Sequence, residues 1–240
     1  GRNYSLLNSI AAVQDNGIRV TDIAFSGLCA ASVVVSQEQK DRGVVFIDIG
    51  AGTADYVMYC DGFVADAGSI PIGGAAITDD IALEFKIQTG QAEELKRNIG
   101  NAVVDMTNRD NILSFDNSPR IPSRPVRESE LNTLIHIKLA EMFFAVKGRL
   151  GRISPDLEIG AGVVLTGGGA RLRNIDILAG KIFGAPCLIL PPFTACGKIP
   201  EGKALEYATP IGILAYALKT EREQVNPVTA FLKKALHWLK

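Results

Sequence analysis

Apolar positions recur along the chain with two spacings, and the spacing changes at glycine-rich punctuation. Residues 4–15 place Leu6, Leu7, Ile10, Ala11 and Val13 at helical intervals, and Asn16-Gly17 supplies a stop. Residues 18–25 alternate in part and predict a short strand, whereas the small residues of 27–35 predict a helix packed closely on a sheet, against the β-branched run Val33-Val34-Val35. Three strands follow over Val44–Ile49, Ala54–Cys60 and Phe63–Ile70, and Asp61-Gly62 marks the hairpin between the last two. An antiparallel meander is the expected arrangement.

Beyond Gly73-Gly74 the pattern turns helical over 75–85 and 91–98, with Thr89-Gly90 between. Residues 108–127 are polar and proline-containing and predict irregular structure or an exposed hairpin. A long amphipathic helix is expected over Glu128–Leu150, with Leu131, Leu134, Ile135, Ile137, Leu139, Phe143 and Val146 available for burial. Residues 160–166 read as a buried strand with a glycine-rich exit. A helix over Ile175–Phe183, a strand over 187–190, a helix over 207–218 and a polar linker over 221–227 complete this part of the chain.

Composition narrows the classes. The chain has 240 residues, 47% of them apolar, enough for a real core in one large domain or two small ones. A net charge of -1 gives no global attraction to nucleic acid, so a charge-driven partner must use a local patch. Cys29, Cys60, Cys187 and Cys196 are widely spaced without CxxC pairing and read as reduced thiols in a cytosolic protein. The two histidines, His136 and His237, lack partners at metal-ligand spacing, which disfavours a zinc site or a His-based triad. No apolar run reaches the roughly 20 residues of a membrane-spanning helix.

Candidate chemistry begins at Asp48-Ile49-Gly50-Ala51-Gly52-Thr53, directly after the first strand of the meander. Glycines in a tight turn let several backbone N–H groups converge on a phosphate, which suits Gly50, Ala51 and Gly52. Asp48 suits Mg2+ held through water, and Thr53 a terminal phosphate or a water beside it. The stretch alone fits equally a glycine-rich hairpin in which Asp48 caps its own turn. A second apolar strand ending in Thr166-Gly167-Gly168-Gly169-Ala170 favours two walls of one nucleotide cleft, and no GxxxxGK[ST] loop occurs.

These motifs are specific in combination. DIGAGTAD resembles the second phosphate loop of the actin, sugar-kinase and chaperone ATPase superfamily, and VVLTGGGARL resembles its adenosine motif. Ala92-Glu93-Glu94-Leu95-Lys96 resembles the AExxK helix of bacterial actins, which implies Glu93 and Lys96 as nucleoside contacts; on their own they would read as a solvated helix face. Residues 207–216 resemble the closing helix that crosses back to the first domain. With VTDIAFSGL, IPIGGAAITDD and AEELKRNIG, the chain most resembles the FtsA family of bacterial division actins.

The resemblance implies an actin-like (ribonuclease H-like) α/β fold: a mixed sheet with flanking helices and a C-terminal amphipathic helix. Residues 1–40 would end the first domain or its inserted subdomain. The second domain would span 41–206, with core 41–74 and 160–206 and a helical insertion at 75–159. Residues 207–220 would form the closing helix, 221–227 a linker and 228–240 the membrane helix. The family's first phosphate loop is absent, since Asp66-Ala67-Gly68-Ser69 mimics it in the wrong strand, so the chain is expected to be the later half of a longer protein. Where relatives place a Glu or Gln to orient the attacking water, this chain has Phe25-Ser26-Gly27, which implies ATP binding with slow or negligible hydrolysis.

In the tail, residues 228–240, helical projection gathers Phe231, Leu232, Leu236, Trp238 and Leu239 on one arc and Lys233 and Lys234 on the other side. That is the pattern of a helix lying in a membrane interface, each lysine contributing about 1 kcal/mol beside anionic lipid. A helix docked on the domain or in a partner's groove has the same pattern. The FtsA resemblance implies FtsZ, further copies of the chain, other division proteins and an anionic membrane as partners, and a peripheral place on the cytoplasmic face of the inner membrane at the septum. A PilM-like pilus-assembly protein and a sugar-kinase-like phosphotransferase are the competing readings.

Overall fold

Strand β1 (Val44–Ile49) is buried on both faces, and the rest of the fold is arranged about it. The protein is described from a computed structural model, which covers residues 2–106, 111–113, 126–151, 159–193, 199–200 and 202–225. β2 (Ala54–Cys60) and β3 (Phe63–Ile70) run antiparallel beside β1 as the meander expected from the sequence. On the other side of β1 lie β6 (Val163–Thr166) and β7 (Cys187–Ile189), both parallel, giving the order β3-β2-β1-β6-β7. The sheet is therefore mixed, as the actin-like resemblance implied.

Period-two alternation divides the core into two layers. Val45, Ile47 and Ile49 point into a large cluster with α4 (Gly74–Phe85), α5 (Thr89–Asn98), α6 (Glu128–Leu150) and α7 (Ile175–Phe183). Val44 and Phe46 point the other way, against α2 (Ser26–Val34) and α8 (Ala208–Val225). A strand covered on both sides must be apolar at nearly every position, which is why β1 opens on the run Val44-Val45-Phe46-Ile47 and carries only Asp48 as a polar residue. α1 (Arg2–Gln14) stands apart from both clusters, with Leu6, Leu7 and Val13 exposed, and α3 (Gln37–Asp41) is a single capped turn before β1. β4 (Ile112–Leu113) and β5 (Val126–Arg127) pair antiparallel near the start of α6.

Three expectations are corrected. Residues 18–25 run without a ladder partner among the described residues: Ile18 and Ile23 are exposed, and the Ile23 N–H is bonded to Asp22 Oδ1 at 2.7 Å. Partial alternation does not make a strand when no neighbouring strand offers a row of partners. Ile137 is 57% exposed because it lies off the stripe of α6 that carries Leu131, Ile135, Leu139, Phe143 and Val146. Residues 221–225, expected as linker, continue α8, since Glu, Arg and Gln are good helix formers and polarity alone does not end a helix.

Cys29 is buried and Cys60 and Cys187 are half-buried, all three as free thiols. Burial and the nearby Asp176 carboxylate push the Cys187 thiol up to about 12. Among the described residues no helix is long and apolar enough to cross a membrane. Cys196, His237 and the tail positions Phe231, Leu232, Lys233, Lys234, Leu236, Trp238 and Leu239 lie outside the described residues, as does most of 108–125.

Candidate functional site

The turn between β1 and β2 is closed by a bond from the Gly50 N–H to the Thr53 carbonyl at 2.9 Å. Its outer side is held by the start of α4, where the Gly74 and Ala75 N–H groups donate to the Gly50 and Ala51 carbonyls at 2.9 and 2.8 Å. That contact requires glycine at 73, because a Cβ there would stand 2.4 Å from the Ala51 oxygen. Gly52, by contrast, has open space where its side chain would be, and Ala51, Gly52 and Thr53 are exposed.

β6 delivers the second glycine run to the end of β1, with Thr166 in register with Asp48. Gly167 has φ +86°, and a Cβ on it would lie 2.3 Å from Asp48 Oδ1 and 2.6 Å from the Ile49 carbonyl. Gly169 is equally constrained, 2.3 Å from Ile49 Cγ2. Two of the three glycines are thus fixed by packing on β1, and Gly168 alone has ordinary room.

Between these loops lies a cleft of about 650 Å³, lined among others by Gly50, Ala51, Gly74, Glu93, Lys96, Gly168 and Gly169. Its size and its mixture of backbone, apolar and charged lining suit a nucleotide-sized ligand. Of the positions singled out in the sequence, Gly50, Ala51, Glu93, Lys96, Gly168 and Gly169 meet here, although the last two pairs are separated by some seventy residues of chain. Asp48, Gly52 and Gly167 are adjacent in the chain to lining residues and Thr53 is one position further on, but none of the four lines the cleft.

Lys96 is 8% exposed, and its ammonium reaches Gly74 O at 2.8 Å, Thr78 Oγ1 at 2.7 Å and Glu93 Oε2 at 2.6 Å. An ammonium has three donors, so all are engaged. Thr78 Oγ1 lies 3.1 Å from Gly74 O and 2.5 Å from Glu93 Oε2, and its single proton serves one of them. Burial alone would push the Glu93 carboxyl up, but the bonds from Lys96 and Thr78 and the charges of Lys96 and Arg97 outweigh it and hold the group below its usual range. Lys96 therefore braces α4 against α5, and Glu93, with its side chain 42% exposed, is the member of the pair that faces solvent.

Beneath the turn, Asp48 and Asp55 are register partners across the antiparallel ladder and share a face of the sheet. Thr209, near the start of α8, donates to Asp48 Oδ2 at 2.6 Å. Ser26, first residue of α2, donates to Asp55 Oδ2 at 2.6 Å, and Ser69 to Asp55 Oδ1 at 2.7 Å. Burial raises the Asp48 carboxyl, the Thr209 bond opposes this, and the charge of Asp55 adds to the rise. Such oxygen donors would suit a hard, hydrated Mg2+, and Asp48 is the carboxylate that would hold it through water. Asp55, Ser26, Thr78 and Thr209 fall within stretches that carry the family resemblance, but beyond the hairpin register that places Asp55 opposite Asp48 nothing in the linear sequence pairs Ser26 with Asp55, Thr209 with Asp48 or Thr78 with Lys96.

On another wall of the cleft, Arg171 Nη1 lies 2.9 Å from Glu206 Oε1. Arg171 ends a short 3-10 turn, Gly168–Arg171, and Glu206 sits in another, Ala204–Tyr207, just before α8.

The family model described as "Cell division protein FtsA" matches residues 45–212. The chain is 30% identical over 213 residues to the cell division protein FtsA of Pseudomonas aeruginosa, covering 88% of this chain and 50% of that protein. It is 27% identical over 248 residues to the FtsA of Escherichia coli, covering 97% and 59% respectively. The chain thus spans between half and three-fifths of the length of these relatives. Among solved structures, MreB5 of Spiroplasma citri bound to AMPPNP superposes with a TM-score of 0.72 at 21% identity, covering 93% of this chain and 66% of that one. The PilM-PilN type IV pilus biogenesis complex gives a TM-score of 0.65 at 18% identity over 90% and 58%. These structural likenesses show the actin-like fold.

Proposed function

Since the chain belongs to the FtsA family of cell-division proteins, we propose that it is the ATP-binding part of an actin-like division protein that polymerises and tethers FtsZ to the cytoplasmic membrane. The observation that carries the nucleotide reading is the cleft itself, where two glycine-rich strand exits and the Glu93–Lys96 pair converge from three separate regions of the chain. ADP- and AMPPNP-bound MreB5 structures with the same fold support it.

In this reading the backbone N–H groups of Ala51 and Gly168 receive the phosphates, Gly50 closes the turn through its bond to Thr53, Gly52 and Thr53 form the turn's exposed tip, and Glu93 accepts from a ribose hydroxyl. Mg2+, when bound, neutralises phosphate charge. Asp48 orients it through water, and Thr209 fixes the Asp48 rotamer. Lys96 positions Glu93 and the Gly74 turn without touching the ligand, because its donors are already engaged.

Slow or negligible hydrolysis follows from the residue at the head of α2. By the family resemblance Phe25-Ser26-Gly27 takes the place of the relatives' water-orienting Glu or Gln, and the Ser26 proton is directed to Asp55. A serine hydroxyl is far too weak a base to take a proton from water, and with its own proton committed to a carboxylate it orients water less well than a Glu or Gln would.

The reading of the tail, residues 228–240, as an amphipathic membrane helix is supported by its sequence and by family membership. One such helix binds weakly, and polymerisation would multiply it through avidity. Two measurements test the whole. The intact protein should bind ATP by calorimetry, with an affinity lowered at least tenfold in a Gly168→Val variant. It should also pellet with anionic liposomes, and pelleting that survives deletion of 228–240 or Trp238→Glu would dismiss the membrane role.

A further inference from the structure

Among the residues that line the cleft outside the phosphate loops and the Glu93–Lys96 pair are Arg171, Leu172, Lys203 and Glu206, the first two closing the stretch that resembles the adenosine motif. If the phosphates occupy the glycine loops and the ribose meets Glu93, these residues face the nucleoside end of the ligand. Here two segments far apart in sequence are joined across the cleft's edge. The Arg171 guanidinium donates to Glu206 Oε1 at 2.9 Å, and behind it the Gly167 N–H donates to the Leu205 carbonyl at 3.2 Å.

We propose that Arg171 and Glu206 are a closing pair: joined, they retain the nucleoside, and parted, they let it leave. The proposal rests on the nucleotide reading above. Three features of the pair suit this role. Both side chains line the cleft, so neither can move without changing its outline. Both remain partly exposed, at 45% and 38%, so water can replace each partner when the pair opens. A pair of this exposure contributes at most about 1 kcal/mol, which a thermal fluctuation readily breaks. A buried pair would lock the edge shut, and an apolar contact would give it no dependence on salt.

The guanidinium adds a reason for arginine in particular. Its flat face stacks on a heteroaromatic ring while its edge still donates to a carboxylate, which an ammonium cannot do. Glu206 Cγ also lies close to Gly168, where an added Cβ would meet it at 3.6 Å, so the pair stands beside the exit of β6. These are positioning residues, acting on retention of the ligand.

The test is the release rate of a fluorescent N-methylanthraniloyl-ATP, chased with excess ATP in the stopped flow, on the intact protein. Arg171→Ala and Glu206→Ala should each release it up to about fivefold faster, the factor equivalent to the upper value for an exposed pair. The charge-reversed double variant, Arg171→Glu with Glu206→Arg, should return to within about twofold of the parent, and in about 1 M salt the differences should vanish by screening. Thermal melts of all variants report whether each is folded. Unchanged release in both single variants, or a reversed pair as fast as the singles, overturns the closing pair and leaves nucleotide binding standing. A parent protein that takes up no labelled ATP overturns the nucleotide reading and this inference with it.

Discussion

Replacing Gly212 with alanine probes the contact that joins the two helices on the far face of the sheet. An added Cβ would stand 2.2 Å from the Cys29 carbonyl oxygen, 2.3 Å from its carbon and 2.7 Å from the Ala30 nitrogen. All three are backbone atoms of α2, so no side chain can swing aside. Real Cβ contacts essentially never fall below 3.0 Å, so α8 must withdraw from α2 by roughly 0.8 Å. A gap of that size forfeits about a quarter to a half of the dispersion energy of the atoms it separates, here those around Ala30, Ala31, Val34 and Ala208. Overpacking of this kind costs about 1–3 kcal/mol, against up to about 1 kcal/mol gained from alanine's helix propensity. The net expectation is a loss of about 1–2 kcal/mol, read as a lower urea midpoint at unchanged slope. Gly148→Ala in α6 is the matched control, since nothing lies within 4 Å of a Cβ there, and it should be neutral or stabilising by up to about 1 kcal/mol. A Gly212→Ala protein as stable as Gly148→Ala would refute the close-approach argument.

Gly167→Ala should destabilise by about 3 kcal/mol, because it combines a positive φ with contact on Asp48 and the Ile49 backbone, and the thermal midpoint reports it. Glu93→Gln should alter acid stability with a definite sign. The Glu93 carboxyl titrates below its ordinary 4.5 in the folded protein, so its contribution is present above that value and is lost as pH falls through the lower, folded one; the glutamine variant should lack this dependence between the two, as urea melts across that range would show. Asp48→Asn should raise the thermal midpoint at pH 7, because the folded protein holds this carboxyl above 3.8 and its ionisation therefore costs stability at neutral pH, while calorimetry should show weaker Mg2+-ATP binding. An Asp48→Asn protein less stable than its parent would contradict the assigned burial cost.

The sheet was legible because its signals are local. β1, β2 and β3 are bounded by turns whose glycines and Asp61-Gly62 announce themselves, and the long apolar stripe of α6 gives its ends to the residue. That 18–25 forms no strand was not legible, because pairing depends on a neighbour that alternation within the segment does not specify. The glycine loops and the Glu93–Lys96 motif were readable as types, yet the role of Lys96 was not. Only the coordinates bring Gly74 O and Thr78 to it and show its donors engaged. Arg171 and Glu206, 35 positions apart, carry no mutual signal in the chain at all.

Under the floor of the cleft the same logic extends to the two helices that meet at Gly212. Asp48 and Asp55 lie opposite each other on one face of the sheet, an arrangement that two unscreened carboxylates would resist. Hydroxyl donors stabilise it, and those donors come from the helix ends: Thr209 at the second residue of α8, Ser26 at the first residue of α2, with Ser69 on β3. Each helix is thus bonded at 2.6 Å to one member of the pair, while their bodies touch backbone to backbone at Gly212 and Cys29. A change of charge at Asp48 therefore acts on the start of α8 through a single hydrogen bond, with no need to deform the close-packed sheet between. The starts of α2 and α8 are thus tied to Asp55 and Asp48, and glycine at 212 lets the two helices meet backbone to backbone.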